Sequence, residues 1–119
     1  MRTSYNIESI EGTLEESKGL ISEVSINPDA PVFQGHFPSQ PVIPGVLSIQ
    51  ILKDIICKYL ERKIQFDEVI SCKYLSQLDP REDNLLIYKD VKVNKEKQIL
   101  SAEGWCGDKL FIKFKVKFS

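Results

Sequence analysis

The chain has 119 residues, enough for one domain, here taken as residues 1–119, with a sizeable buried core. Its composition, 42% hydrophobic and 28% charged, is that of an ordinary globular protein, and no apolar run approaches the ~18 to 20 residues of a membrane-spanning helix. A net charge of −1 argues against general nucleic-acid binding.

The N-terminus, Met1-Arg2-Thr3-Ser4-Tyr5, lacks the apolar core expected of a secretory leader. A first strand is predicted from Tyr5 to Leu14, with Tyr5, Ile7 and Ser9 on one face. Glu15 to Gly19 is a polar turn, and Leu20 to Ile26 resumes an extended pattern through Leu20, Val24 and Ile26, completing a hairpin. Asn27-Pro28-Asp29-Ala30-Pro31 ends it. Between Val32 and Gly45, prolines at 38, 41 and 44 fix φ and remove donors, so this stretch is a stiff, irregular connection.

Pro44 and Gly45 suit a helix start, where a missing N–H costs little. The helix is predicted over residues 45–62. Leu52, Ile55, Ile56 and Tyr59 share its core face, with Ile49 and Leu60 beside them; Gln50, Lys53, Asp54 and Cys57 lie opposite. Val46 and Leu47 are placed on that opposite side too, so the first turns read as apolar all round and call for a second cover, most economically another subunit.

Four more strands follow: Glu68 to Leu75; Leu85 to Val93, with Leu85, Ile87, Val91 and Val93 on one face; Ile99 to Trp105; and a last strand with Leu110, Ile112, Phe114, Val116 and Phe118 inward and Lys113, Lys115 and Lys117 outward. Strands are segregated from one long helix, with antiparallel meander connections, which is an α+β arrangement. One helix cannot cover both faces of six strands, so a dimer is expected. Cys57, Cys72 and Cys106 are odd in number and far apart, which fits reduced thiols in a cytosol better than a disulfide framework or a zinc site.

Charge is uneven. Residues 1–52 hold two basic and six acidic side chains, and residues 53–119 hold fourteen and eleven. The late lysines are either a solvated strand face or a dock for an acidic partner.

The stretch Phe33-Gln34-Gly35-His36-Phe37-Pro38-Ser39-Gln40-Pro41-Val42-Ile43-Pro44-Gly45-Val46-Leu47 closely resembles the signature of bacterial 3-hydroxyacyl-acyl-carrier-protein dehydratases. Weaker similarity continues over Lys73-Tyr74-Leu75 and from Ala102-Glu103-Gly104 onward. The resemblance implies a hot-dog fold, in which an antiparallel six-stranded sheet wraps one long central helix. It also implies water elimination from 3-hydroxyacyl thioesters of acyl carrier protein, in fatty-acid or polyene-type lipid synthesis, with no metal or organic cofactor. The family's base position matches His36, the only histidine. The thioester carbonyl is held by helix-start amides, which carries over to Gly45 and Val46. Phe33, Phe37, Ile43 and Leu47 are candidates to line an acyl channel, or are simply core.

The family's acid, a Glu or Asp supplied across the dimer interface, matches Gln50. Glutamine cannot give up a proton at physiological pH, though it donates and accepts hydrogen bonds. Three readings stay open. In a working dehydratase, His36 serves as base and acid, or Asp54 reaches the site from one turn on. In a half-site subunit, or a binding protein for acyl thioesters, a carboxylate-bearing relative completes the site. The third is a hot-dog thioesterase. The assembly is expected to be a homodimer, a heterodimer or something higher. Acidic carrier proteins would meet Lys113, Lys115 and Lys117, or Lys53 and Arg62.

Overall fold

The structure, a computed structural model, describes residues 4–15, 17–33 and 41–119. Six strands and one α-helix are present: β1 (Tyr5–Gly12), β2 (Leu20–Ile26), a short 3-10 turn (Pro31–Phe33), α1 (Gly45–Leu60), β3 (Phe66–Tyr74), β4 (Leu85–Asn94), β5 (Ile99–Cys106) and β6 (Lys109–Phe118). They form one antiparallel sheet in the order β1-β2-β4-β5-β6-β3. Only β4, β5 and β6 run as a simple meander. β3 pairs with β6, so the connection from β3 to β4 passes β6 and β5 rather than making a hairpin.

The helix forms where its apolar period says it should. Leu47, Ile51, Leu52, Ile55 and Ile56 are buried in one cluster with Val24, Leu86, Leu100, Phe114 and Val116 from the sheet. Its end falls at Leu60, two residues earlier than expected. Glu61 takes the left-handed conformation (φ 55°), and the Arg62 N–H returns to the Cys57 carbonyl at 3.3 Å. No glycine announces this stop.

Three expectations about facing residues change. Leu47 is 1% exposed and lies one turn before Ile51 on the core face, whereas Val46, at 74%, points outward. The first turn is therefore apolar toward the sheet and carries one outward apolar side chain, not a continuous apolar surface. In β4 the inward residues are Leu86, Tyr88 and Val91, while Leu85 is exposed. The cause is an extra residue: the register slips between Lys89 and Lys92 against β5, and correspondingly against β2, with Asp90 at φ 52°. A bulge moves each later side chain to the other face, which strict alternation cannot anticipate. In β6, Ile112, Phe114, Val116 and Phe118 are buried as expected, but a register slip against β5 between Gly104 and Trp105 puts Phe111 inward in place of the expected Leu110.

Tyr88 ties the sheet to the helix start. Fully buried, its hydroxyl donates to the Ser48 carbonyl at 2.8 Å, and its ring meets Phe111 edge-on at 6.1 Å. Burial raises the Tyr88 phenol far above its ordinary range, so it remains a donor at every working pH. One turn of α1 is thus held at a fixed height over β4.

Candidate active site

The helix start is the most polar feature facing apolar surroundings. Pro44 is the N-cap and no side chain caps the helix; the Pro44 carbonyl accepts from the Leu47 and Ser48 N–H groups at 3.0 and 3.3 Å. The N–H groups of Gly45 and Val46 precede the first intrahelical bonds and sit at the positive end of the helix dipole. Gly45 borders a cleft of about 270 Å³ whose walls include Val42, Ile43, Ser48, Tyr74, Leu78 and Phe111. The β3–β4 connection closes one side, fastened where the Ile43 N–H donates to the Leu78 carbonyl at 2.8 Å.

Gly45 has a steric reason to be glycine. A Cβ there would lie 2.6 Å from Cζ of Tyr74 and 2.7 Å from its hydroxyl. The Tyr74 ring therefore rests on the helix start, with its other side in solvent. Its phenol is pushed up to about 12, first by partial burial and then by the Cys72 thiol beside it, so it too stays a donor.

Gln50 lies on the outward stripe of α1 with Val46, Lys53, Asp54 and Cys57, none of which is buried. Its Nε2 donates to Asp54 Oδ1 at 3.0 Å, and the Tyr5 hydroxyl, from β1, donates to Asp54 Oδ2. Both Asp54 oxygens are engaged. Burial, then the hydrogen bond to Asp54, raises the Tyr5 phenol well above its usual range. A second cleft, of about 360 Å³, opens beside this chain of contacts between Tyr5, Asn6, Ile7, Asp54, Cys57 and Lys58.

Of the residues singled out in the sequence, Gly45 and Ile43 converge on the cleft at the helix start, whereas the Val46 side chain points outward and does not line it. Phe33 and Leu47 are buried in the core. Gln50 sits one turn further along the helix. His36 and Phe37 lie outside the described residues. Tyr74 and Tyr5 were missed: each reaches the helix from a strand remote in sequence, and only the packing of β3 and β1 on α1 reveals them. Among the described residues, no three His, Cys, Asp or Glu side chains gather to hold a metal ion, and no helix is long and apolar enough to cross a membrane.

The outer face of the sheet is basic. Lys73 stands opposite Lys113, Lys115 opposite Ser71 on one side and Ser101 on the other, and Ser101 opposite Lys92. These residues, together with Asp90 and Glu103, border a shallow depression of about 340 Å³ in which lysines outnumber carboxylates. The ion pairs among the described residues are Arg81–Asp79, Lys92–Asp90, Lys95–Glu15 and Lys109–Asp83, so Lys73, Lys113, Lys115 and Lys117 take part in none. Cross-strand pairing recruits Lys73 and Lys92, which the sequence alone did not group with the C-terminal lysines. At the sheet edge, β3 exposes Val69, Ile70 and Tyr74, followed by Leu75.

Comparison with known proteins adds a family context. A family profile described as ApeI-like, ApeI dehydratase, matches residues 12–106. The 3-hydroxyacyl-acyl-carrier-protein dehydratase FabZ of Thermotoga neapolitana is 31% identical over 105 residues, 84% of this chain and 75% of that one. The FabZ of Macrococcus caseolyticus is 28% identical over 113 residues, 89% and 78% of the two chains. Among solved structures, the dehydratase heterocomplex ApeI:P from Xenorhabdus doucetiae matches with a TM-score of 0.78 at 23% identity, over 95% of this chain and 96% of that one. An uncharacterised protein from Erwinia carotovora subsp. atroseptica matches with a TM-score of 0.67 at 20% identity, over 96% and 92%. These structural likenesses concern the fold, an antiparallel six-stranded sheet with one long helix, which is the hot-dog arrangement.

Proposed function

This chain belongs to the ApeI-like dehydratase family, and we propose that residues 1–119, as one hot-dog unit, act on 3-hydroxyacyl thioesters of an acyl carrier protein in fatty-acid or polyene-type lipid synthesis. The observation that carries this reading is the start of α1, uncapped by a side chain: two amides ahead of the first helical bonds at a dipole end, with Gly45 at the mouth of a largely apolar cleft. A thioester oxygen that gains charge as the α-proton leaves needs such donors already in place. Gly45 lets the thioester approach the backbone, and Ile43 and Phe111 favour an acyl chain over water. His36, the one side chain that titrates near neutrality without help, is assigned as the base that takes the α-proton. The C–O bond at the β-carbon then breaks, and hydroxide leaves as water once it receives a proton.

That proton is what position 50 does not supply. An amide is no acid, and absence of a general acid typically costs about 10² to 10⁴ in rate. Alone, the chain must rely on His36 to return the proton it took. A second reading follows from the engagement of Gln50 with Asp54 and from the solved relative ApeI:P, itself a heterocomplex. In this reading the chain is one half of a composite dimer: His36 and the Gly45 amide from this subunit, a carboxylate from a related one. The exposed apolar residues of edge strand β3, together with outward Val46, are the surface available for such pairing.

The carrier protein is assigned to the basic outer face. Lys73 and Lys113 sit directly opposite each other, with Glu103 across from Lys113 on its other side, and with Lys115 they offer cations that an acidic partner can engage. The deciding experiment supplies pure protein with a 3-hydroxyacyl carrier-protein substrate and follows the trans-2-enoyl product. Turnover abolished by His36→Ala establishes the self-sufficient enzyme. Inactivity alone, with activity gained on mixing with a carboxylate-bearing relative, establishes the half-site subunit. Thioester hydrolysis without dehydration rejects both.

A further inference from the structure

Position 50 need not be an empty acid site. We infer that Asp54 and Tyr5 are positioning residues that lock the Gln50 amide with its carbonyl oxygen outward, making Gln50 a hydrogen-bond acceptor for the substrate's β-hydroxyl. This rests on the proposed action on 3-hydroxyacyl thioesters and adds a job for the residue that replaced the acid.

An amide has an acceptor end and a donor end, and either can face a neighbour. A carboxylate only accepts. With Asp54 Oδ1 3.0 Å from the Gln50 side chain, the end turned toward Asp54 must be Nε2. The orientation is therefore chemically determined and does not depend on telling nitrogen from oxygen. Oε1 is left on the side away from Asp54. Asp54 is in turn held from across the fold: Tyr5 projects from the edge strand β1, forty-nine residues away in sequence, and donates to Oδ2. With one oxygen given to Tyr5 and the other to Gln50, Asp54 has no rotamer freedom left for reaching a substrate, and it serves as a brace. An unbraced glutamine on the outward stripe of a helix would sample both amide orientations and several rotamers, and would read a hydroxyl poorly.

A hydroxyl that donates to Oε1 is bound and oriented but receives no proton from it. The arrangement thus selects 3-hydroxyacyl over saturated acyl groups while leaving protonation of the departing oxygen to His36 or to a partner subunit. No bond is made or broken by Gln50, Asp54 or Tyr5.

Two measurements test this on the full chain. In the first, ¹⁵N-edited NMR of the ligand-free protein follows the Gln50 side-chain amide, identified by its loss in Gln50→Met. A shifted, slowly exchanging NH₂ pair that returns to ordinary positions in Asp54→Ala, and moves less far in Tyr5→Phe, supports the brace. A Gln50 signal unchanged by Asp54→Ala overturns it. In the second, dissociation constants are measured for pantetheine thioesters of 3-hydroxyoctanoate and of octanoate. The expected preference for the hydroxylated ligand is about tenfold, the worth of one well-oriented hydrogen bond. It falls toward unity in Asp54→Ala while octanoyl binding holds, and Asp54→Glu restores part of it. A preference that survives in Asp54→Ala overturns the inference and leaves the proposed function standing. Failure of either thioester to bind the wild-type chain overturns both.

Discussion

Gln50→Glu restores a carboxyl group to the helix, and the neighbourhood of Asp54 decides how well it works as an acid. In the native chain Gln50 Nε2 and Asp54 Oδ1 are 3.0 Å apart. The substitution exchanges a donor for an acceptor at that contact, so the two carboxylates separate to about 4 Å. At an effective dielectric near 20 their repulsion is about 4 kcal/mol. Both side chains are half-exposed, and solvent screening reduces this to about 1.5 to 2 kcal/mol. That repulsion raises the introduced carboxyl above its usual ~4.3. A carboxyl raised in this way keeps its proton to higher pH and can deliver it as a general acid.

The expected outcome is a gain of about 10² to 10⁴ in dehydration rate over the parent chain. The gain should be lost as pH rises through the raised pKa of the introduced carboxyl. The double variant Gln50→Glu, Asp54→Asn separates this from a generic effect. The amide introduced at position 54 can donate to the new carboxylate at position 50, which favours the charged form, so the limb moves to lower pH by about one unit. Stability obeys the same sign. A carboxyl whose folded pKa exceeds its unfolded one binds more protons when folded, so Gln50→Glu should be close to the parent in stability only below the unfolded value of ~4.3. It should fall below the parent as pH rises through the folded pKa. The assay is a pH–rate profile on a 3-hydroxyacyl carrier protein, with thermal melts at matching pH. A rate gain whose pH limb ignores Asp54→Asn would refute the coupling between the two positions. No gain at all, in a protein that still binds the thioester, would refute the placement of position 50 opposite the departing hydroxyl.

Three other perturbations have definite outcomes. Tyr88→Phe removes the 2.8 Å bond to the Ser48 carbonyl in a fully buried setting and should cost about 1 to 2 kcal/mol, seen as a melting temperature lower by several degrees. Gly45→Ala places a methyl group 2.6 Å from the Tyr74 ring; the ring must swing out, and the measurable result is weaker thioester binding with a folded far-UV spectrum. Reversing Lys73, Lys113 and Lys115 to Glu should weaken carrier-protein binding at low salt and erase most of its salt dependence. Affinity equal to the parent's would remove the outer sheet face from consideration as the dock.

Most of the scaffold was legible because it is written in local periods. A 3.6-residue apolar repeat from Ile51 to Ile56 and the two-residue alternation of Ile112, Phe114, Val116 and Phe118 each require one kind of element and one inward face. What failed to read is what periodicity does not encode. The bulge at Asp90 inverts the facing of β4, and its only local mark is an aspartate accepting a positive φ. The place of β3 at the far edge depends on a crossover whose length, residues 75–84, fits a hairpin equally well. Leu47 was misplaced because the first turn offers two adjacent apolar residues, Val46 and Leu47. Only the position of the sheet decides which one is covered.

The candidate site divides along the same line. The start of α1 is legible because proline and glycine there have few alternatives: one removes a donor, the other admits a neighbour. The environment of Gln50 is not, because it is assembled from β1 and α1 at a separation that no motif spans. In isolation, a glutamine among Lys53 and Asp54 reads as the wet side of a helix. Placed with one end on a carboxylate that a tyrosine already holds, it is an oriented dipole whose free end is an acceptor. That difference changes what its substitution for an acid means. Asp54 and Tyr5 together set which end of that amide faces away from the carboxylate. On the proposed reading, that acceptor binds the hydroxylated thioester, and His36 or a neighbouring subunit finishes the elimination.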